Sequence, residues 1–285
     1  MKIIIGKYSG FCNGVKYTVD KALEILKNNC RINCLGEIVH NESVINYLEK
    51  QGLKTINNIE EIEENEKLII RAHGEAKKIY ELCKKKNIEI FDLTCGKIRI
   101  IRNKVIKEKD SSYIIIIGKK KHPETIGILS FAGVNASIIE DSSDLFETIE
   151  KIKKSNLKRL YVVSQTTFSK DKFDILTNEI IKICSNYEVI IDKTICDATD
   201  KRQTECLELA KKVDMMMIIG GKNSSNTKEL YNISYNINKN TILIQDINDL
   251  KKIELNKDLN IGIMAGASTP EFVIDEIVEY LNSTF

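Results

Sequence analysis

Three of the eight cysteines, Cys12, Cys95 and Cys196, stand at equivalent points of a pattern that the chain repeats three times. From each cysteine a stretch of helical spacing leads into a short apolar run ending in glycine, at Gly36, Gly118 and Gly220, which lie 24, 23 and 24 residues downstream. Four residues past those glycines stand His40, His122 and Ser224. A second helical stretch and a second strand come next, and the strand exits carry Arg71-Ala72-His73-Gly74, Ser164-Gln165-Thr166-Thr167 and Ala265-Gly266-Ala267-Ser268. In open α/β sheets, ligands sit beyond the carboxyl ends of the strands, where loops meet helix N-termini. Each repeat thus offers one thiol and two polar loops to a common centre. Three soft ligands suit a cluster iron or a zinc ion. Three rather than four leave one coordination position open, and open positions do chemistry.

The remaining polar residues of these loops suggest an anion as the ligand. The only three histidines, His40, His73 and His122, all fall at strand exits, beside Asn41, Thr166, Thr167, Asn223, Ser224, Ser225, Asn226 and Ser268. Imidazoles, hydroxyls and amides beside unpaired helix N–H groups make an anion cradle. No GxxxxGK[ST] loop supplies a nucleotide alternative. In His122-Pro123-Glu124, proline fits a first helical position, which leaves Glu124 either as an ordinary favourable charge in the first turn or as a proton donor at the site. The preceding Lys119, Lys120 and Lys121 either steer an acidic partner or simply solvate a loop. Cys83, Cys184 and Cys206 lie within apolar helical patterns and read as buried thiols. Cys30 and Cys34 have no nearby Cys or His to complete a metal set and read the same way.

The elements that position these residues emerge from periodicity. Short β-rich runs at Ile3–Ile5, Ile32–Leu35, Leu68–Ile70, Ile88–Phe91, Tyr113–Ile117, Tyr161–Val163, Val189–Ile191, Met215–Ile219 and Ile261–Met264 alternate with helical segments, the signature of an α/β fold with mostly parallel sheets. The helices from Glu75 and Lys170 each lead to a strand and then a cysteine, whereas that from Pro270 to Leu281 leads to no further strand. The unassigned strand is Ile3–Ile5, just before Cys12. The expected architecture is therefore three pseudo-threefold-related α/β units around a central site: residues 13–95, 96–193 and 194–285, the last completed by the N-terminal strand of residues 1–12.

Composition removes other classes. With 43 basic against 41 acidic residues among 285, a net charge of +2 and no basic block, nothing marks a nucleic-acid partner. Apolar runs are too short for a membrane span and the N-terminus has no signal-peptide core, so a cytoplasmic protein is expected. In that reducing compartment the cysteines are not a disulfide framework.

Nine ordered motifs together resemble the 4-hydroxy-3-methylbut-2-enyl diphosphate reductase family. They are Gly10-Phe11-Cys12-Asn13-Gly14-Val15, Ile38-Val39-His40-Asn41, Arg71-Ala72-His73-Gly74, Asp92-Leu93-Thr94-Cys95, His122-Pro123-Glu124, Ser164-Gln165-Thr166-Thr167, Thr194-Ile195-Cys196 through Thr199 to Arg202-Gln203, Asn223-Ser224-Ser225-Asn226 and Gly266-Ala267-Ser268. One departure is Gly96, where the family usually has proline. The resemblance implies one 4Fe-4S cluster on Cys12, Cys95 and Cys196 with an open fourth iron for the substrate's allylic hydroxyl. It further implies a diphosphate bound by His40, His73, His122, Ser224, Ser225, Asn226 and Ser268, and Thr166 and Glu124 beside the hydroxyl carbon. The implied reaction is reductive loss of that hydroxyl as water to give isopentenyl and dimethylallyl diphosphate, with reduced flavodoxin or ferredoxin as electron donor. The rival readings are a three-cysteine iron-sulfur dehydratase like quinolinate synthase and a metal-storage or sensing protein; neither explains the loops that match the family's diphosphate-binding motifs.

Overall fold

The computed structural model describes residues 2–29 and 31–284, so Cys30 lies outside the described residues. In chain order the strands are β1 (Lys2–Ile5), β2 (Ile32–Leu35), β3 (Leu53–Ile56), β4 (Lys67–Ile70), β5 (Glu89–Asp92), β6 (Tyr113–Ile117), β7 (Ala136–Ile139), β8 (Arg159–Ser164), β9 (Glu188–Ile191), β10 (Met215–Ile219), β11 (Thr241–Ile244) and β12 (Asn260–Ala265). The helices are α1 (Asn13–Lys27), α2 (Glu42–Lys50), α3 (Lys77–Lys85), α4 (Gly96–Glu108), α5 (Pro123–Phe131), α6 (Leu145–Lys154), α7 (Lys170–Ile183), α8 (Asp197–Ala210), α9 (Ser225–Ile237), α10 (Ile247–Leu250) and α11 (Glu271–Thr284).

The strands form three four-stranded sheets of the same topology, β3-β2-β4-β5, β7-β6-β8-β9 and β11-β10-β12-β1. The pairings among the described residues are parallel. The N-terminal strand pairs with the C-terminal one, Ile3 opposite Ile261 and Ile5 opposite Ile263. By contacts the chain divides into two compact units. One comprises Met1–Cys30, Glu37–Leu53 and Asp197–Phe285 and carries the sheet containing β1; the other comprises Arg31–Gly36 and Lys54–Cys196 and carries the other two sheets. Residues 13–95 are thus divided: α1 and α2 group with the β1 sheet, and β2, β4, α3 and β5 with the β6 sheet.

Central strands read as near-continuous apolar runs because helices cover both faces of a parallel sheet. Tyr113–Ile117 and Met215–Ile219 are buried throughout. Alternate residues then serve opposite faces. Met216 and Ile218 pack with Cys206, Leu209 and Leu230, whereas Met217 and Ile219 pack with Val273, Ile277 and Leu281. Cys83, Cys184 and Cys206 are core members, as their apolar patterns indicate.

Sequence periodicity misses β3, β7 and β11, which occupy the same edge of their sheets. Each has four residues and mixes apolar with polar side chains, because an edge strand has less to bury. The connector after this strand differs among the repeats: a single 3-10 turn in the first, the ten-residue α6 in the second and the four-residue α10 in the third. Residues 57–66 join β3 to β4, against 140–158 and 245–259 in the other repeats, which with the longer α9 of the third makes the first repeat the shortest.

Gly262 of β12 tests how closely this frame is packed. A Cβ there would lie 2.7 Å from Met216 Sδ, 2.9 Å from Leu209 Cγ and 3.0 Å from Val213 Cγ2, whereas one at Gly96 meets nothing within 4 Å. Gly262→Ala is expected to lower stability by about 1–3 kcal/mol through overpacking. Gly96→Ala should not lower it. Denaturant unfolding of the metal-free chains measures both, and an unchanged midpoint for Gly262→Ala would contradict the packing described.

Candidate functional site

In the unit that contains β1, the site residues gather on the loops beyond β10 and β12 and on the chain entering α2. Cys12 caps α1, its sulfur accepting the Val15 N–H at 3.4 Å, while its own N–H donates to the Ala267 carbonyl at 3.1 Å. His40 Nδ1 lies 2.8 Å from Glu37 Oε2. We assign the Nδ1–H as donor to that carboxylate, which fixes the orientation of the ring. Ser268 Oγ donates to the His40 carbonyl at 3.0 Å, and the Ser224 N–H donates to the Gly221 carbonyl at 3.0 Å. Gly221 itself is pressed against the His40 carbonyl, and any Cβ there would collide with it. His40, Ser268 and the loop of Ser224 thereby form one constellation.

Ser224 caps α9, accepting the Thr227 N–H at 3.3 Å, and so places Ser225 and Asn226 in the first turn. Asn226 is only 3% exposed, yet neither its amide nitrogen nor its oxygen has a hydrogen-bond partner among the described residues. Buried amides are normally satisfied, and one left open points to a missing polar ligand.

In the second unit a continuous chain of contacts joins five of the expected residues. His122 caps α5 by accepting the Glu124 N–H at Nδ1, 3.2 Å, with Pro123 as first helical residue. The ring of His73 meets that of His122 edge to face, centroids 5.4 Å apart. Glu124 turns into the protein and is 1% exposed. Its Oε1 accepts the Thr166 N–H at 2.6 Å and its Oε2 lies 2.8 Å from Thr166 Oγ1. The carbonyl of Thr166 accepts the Cys196 N–H at 3.0 Å. Burial pushes the Glu124 carboxyl up to about 7, against the opposing effect of the two Thr166 hydrogen bonds. Glu124 is thus a first-turn carboxyl that is buried and bound by Thr166 rather than solvated.

Cys95 caps α4, and its N–H donates to the Ala72 carbonyl, the neighbour of His73, at 3.0 Å. The segments leading to the two cysteines of this unit are tied down locally. Asp92 accepts the Thr94 N–H at 3.0 Å, and Thr194 Oγ1 accepts the Ser164 N–H at 2.7 Å. Gly96 opens α4 in free space, at a position where proline is also accommodated, so its presence disturbs no packing.

The three cysteines share one backbone device. Ala267, Ala72 and Thr166 each stand two residues beyond the last residue of β12, β4 and β8, and each takes the N–H of its cysteine. These three cysteines are also half-buried, whereas the other described ones, Cys34, Cys83, Cys184 and Cys206, are buried. Burial pushes Cys34 up to about 12 and Cys206 to about 11, keeping them as neutral thiols. Cys12, Cys95 and Cys196 instead stand at the N-terminal starts of α1, α4 and α8. Each of the three is thus a half-buried thiol at a helix start, a setting that suits a soft metal ligand.

Other expectations fare less well. Thr167 is engaged internally, accepting from Gln165 Nε2 at 2.8 Å. Lys120 pairs with Asp144, so part of the charge of the Lys119–Lys121 loop is matched locally. Glu37 and Gly221 are not legible as site residues in the sequence. A Gly220-Gly221 doublet at a strand exit is a signal for the second; the first stands three residues before His40, a spacing that does not by itself fix the contact with the ring.

Among the described residues no helix is long and apolar enough to cross a membrane. Residues 3–282 match the family model of the LytB protein. A 4-hydroxy-3-methylbut-2-enyl diphosphate reductase of Thermoanaerobacter sp. (strain X514) is 40% identical over 98% of this chain and 96% of its own length. The solved E-1-hydroxy-2-methyl-but-2-enyl-4-diphosphate reductase of Plasmodium falciparum superposes with a TM-score of 0.87 at 31% identity, covering 99% of this chain and 87% of its own. A second solved structure, described as (E)-4-hydroxy-3-methyl-but-2-enyl diphosphate reductase, the terminal enzyme of the non-mevalonate pathway, gives 0.70 at 32% identity, covering 99% and 100%. Nearly the whole chain is matched in sequence and in fold, and it belongs to the LytB family.

Proposed function

We propose that this protein reductively dehydroxylates (E)-4-hydroxy-3-methylbut-2-enyl diphosphate, consuming two electrons and two protons and giving isopentenyl and dimethylallyl diphosphate and water. The observation that carries this reading is the path Glu124–Thr166–Cys196: a buried acid, raised to about 7, held by a threonine whose carbonyl anchors a candidate ligand cysteine. Cys12, Cys95 and Cys196 would hold one 4Fe-4S cluster with an open fourth iron, which would relay electrons to the substrate and supply the Lewis acidity that makes hydroxide a better leaving group. The electrons would come from a small reduced carrier of the flavodoxin or ferredoxin type.

The chain's own groups divide the remaining work. His40, His73, His122, Ser224, Ser225, Asn226 and Ser268 would bind the diphosphate, the open amide of Asn226 contributing one donor and one acceptor. Glu124 would give its proton through the Thr166 hydroxyl, which can accept from the carboxylic acid and donate onward. Burial of Glu124 serves that role, because an exposed carboxyl would already be ionised near neutral pH. Iron and sulfide analysis after anaerobic purification, followed by turnover of the allylic diphosphate with a chemical reductant, tests the reading. Turnover that needs no reductant would replace it with the dehydratase alternative.

Replacing Cys12, Cys95 or Cys196 by Ser is expected to abolish turnover and deplete iron, whereas Ser at Cys83 or Cys184 leaves both in place. Iron content and activity of each purified variant decide the matter, and an active, fully loaded Cys95→Ser chain would refute the ligand assignment.

Glu124→Gln keeps shape and loses the acid, so turnover should fall by about 10² to 10⁴ while substrate affinity persists. The pH dependence has a definite sign. The carboxyl is raised from 4.5 to about 7 in the fold, so the folded chain retains a proton that the unfolded chain has released between those values. Its contribution to stability is complete below about pH 4.5 and is lost as pH rises through about 7. Parent turnover should decline above about pH 7, and the Gln variant should lack that limb. Near-normal turnover by a loaded Gln variant would remove Glu124 from the reaction.

A further inference from the structure

We propose that Arg202 and Glu205 are positioning residues that hold the loop before Cys12 in its ligating conformation, so that retention of the bound metal group depends on them. The inference rests on the reading of Cys12 as a ligand. Both residues lie on α8, three positions apart and hence on one face of the helix.

The loop from Gly6 to Phe11 has little of its own to hold it. It contains two glycines, and Gly10 sits at φ +86°, in the left-handed region. Its inner side is bound to β12 and the residues just beyond: the Ala265 N–H donates to Ser9 Oγ at 3.2 Å and the Cys12 N–H to the Ala267 carbonyl at 3.1 Å. Its outer side is held by α8. The Glu205 carboxylate takes two successive backbone N–H groups, Lys7 on Oε1 at 2.7 Å and Tyr8 on Oε2 at 2.8 Å. Arg202, 3% exposed, donates from Nε to the Tyr8 carbonyl at 2.7 Å and from Nη2 to the Gly10 carbonyl at 2.8 Å.

Four charge-assisted bonds thus fall on four backbone groups in the few residues before a candidate ligand. Such bonds are stronger than neutral ones and fix direction as well as distance. The same helix comes directly after Cys196 in sequence, so one rigid element starts at one candidate ligand and grips the approach to another. The bonds of both residues to this loop fall on its backbone, so both would act on Cys12 through the backbone.

The test uses the full-length chain, loaded anaerobically with iron and sulfide. Glu205→Gln leaves one N–H facing an amide NH₂, and Arg202→Lys cannot reach both carbonyls in a planar fork; exposed Glu208→Gln serves as control. Loss of cluster absorbance under a chelator is measured, together with thermal unfolding of the metal-free chains. The expected result is loss about 10- to 100-fold faster in both variants, with the Glu205→Gln midpoint and the control unchanged. A loaded parent with variants that retain iron equally well overturns this inference alone. So does faster loss matched by an equal fall in metal-free stability. A parent that takes up no iron overturns the ligand reading and the inference with it.

Discussion

The position of each candidate ligand depends on the alignment of two neighbouring strands. In every sheet the chain leaves an outer strand, β1, β5 or β9, and reaches its cysteine while paired to the exit of the next strand inward, β12, β4 or β8. The bond from the cysteine N–H to the second carbonyl beyond that inward strand extends the parallel ladder past its last residue. A slip of one residue in the pairing would turn every side chain to the other face, moving the thiol and exposing the apolar strand together. Core burial, a large effect, therefore enforces the placement of the sulfur, a small one. This explains how three connections of unequal length, residues 6–11, 93–94 and 192–195, can still present equivalent thiols. The longest of them, which begins at Gly6 and includes Gly10, is the one gripped from α8.

A second constraint is electrostatic. Glu124 occupies a place where a carboxylate costs free energy, and the Thr166 bonds only partly offset that cost. The same balance leaves the carboxyl partly protonated near neutral pH. Arg71 and Glu75 illustrate a different solution in the same unit: their side chains pair at 2.7 Å, and the Glu75 carboxyl is raised by burial and lowered by the guanidinium. Among the described residues no cation draws Glu124 down, which separates an acid that can donate from an acid that serves as a brace.

Much of this is readable from residue order. Strands β6 and β10 follow from unbroken apolar runs, and the three candidate ligand cysteines from their place in a repeat, because both signals are local in sequence. The parallel pairing of β1 with β12 is readable as well, through the absence of a strand after the last helix. The edge strands are not, since four residues such as Leu53–Ile56, with two of them only partly buried, carry too little pattern to rise above a loop. Neither are Glu37 and Glu205. Glu37 stands three residues before His40, but the local turn that aims its carboxylate at the ring leaves no pattern in the sequence, and Glu205 reaches two backbone N–H groups 198 and 197 positions away only through the folded path of the chain.

The repeats have kept their frame and divided their chemistry. Glu124 and Asn226 occupy corresponding positions, each two residues after its helix cap, His122 or Ser224, and each almost wholly buried. In one repeat the position holds an acid satisfied within the protein; in the other it holds an amide left open among the described residues. An open amide offers one donor and one acceptor at fixed charge, which suits a phosphate oxygen and a hydroxyl equally and never competes for the proton. The acid has both of its oxygens engaged by Thr166. In the first repeat the corresponding residue, Glu42, stays exposed on α2 because there the cap has moved one residue on, to Asn41, which turns the helix start and carries the carboxyl out to solvent. A shift of one residue in where a helix is capped is enough to decide whether a glutamate becomes part of a buried site or of the surface.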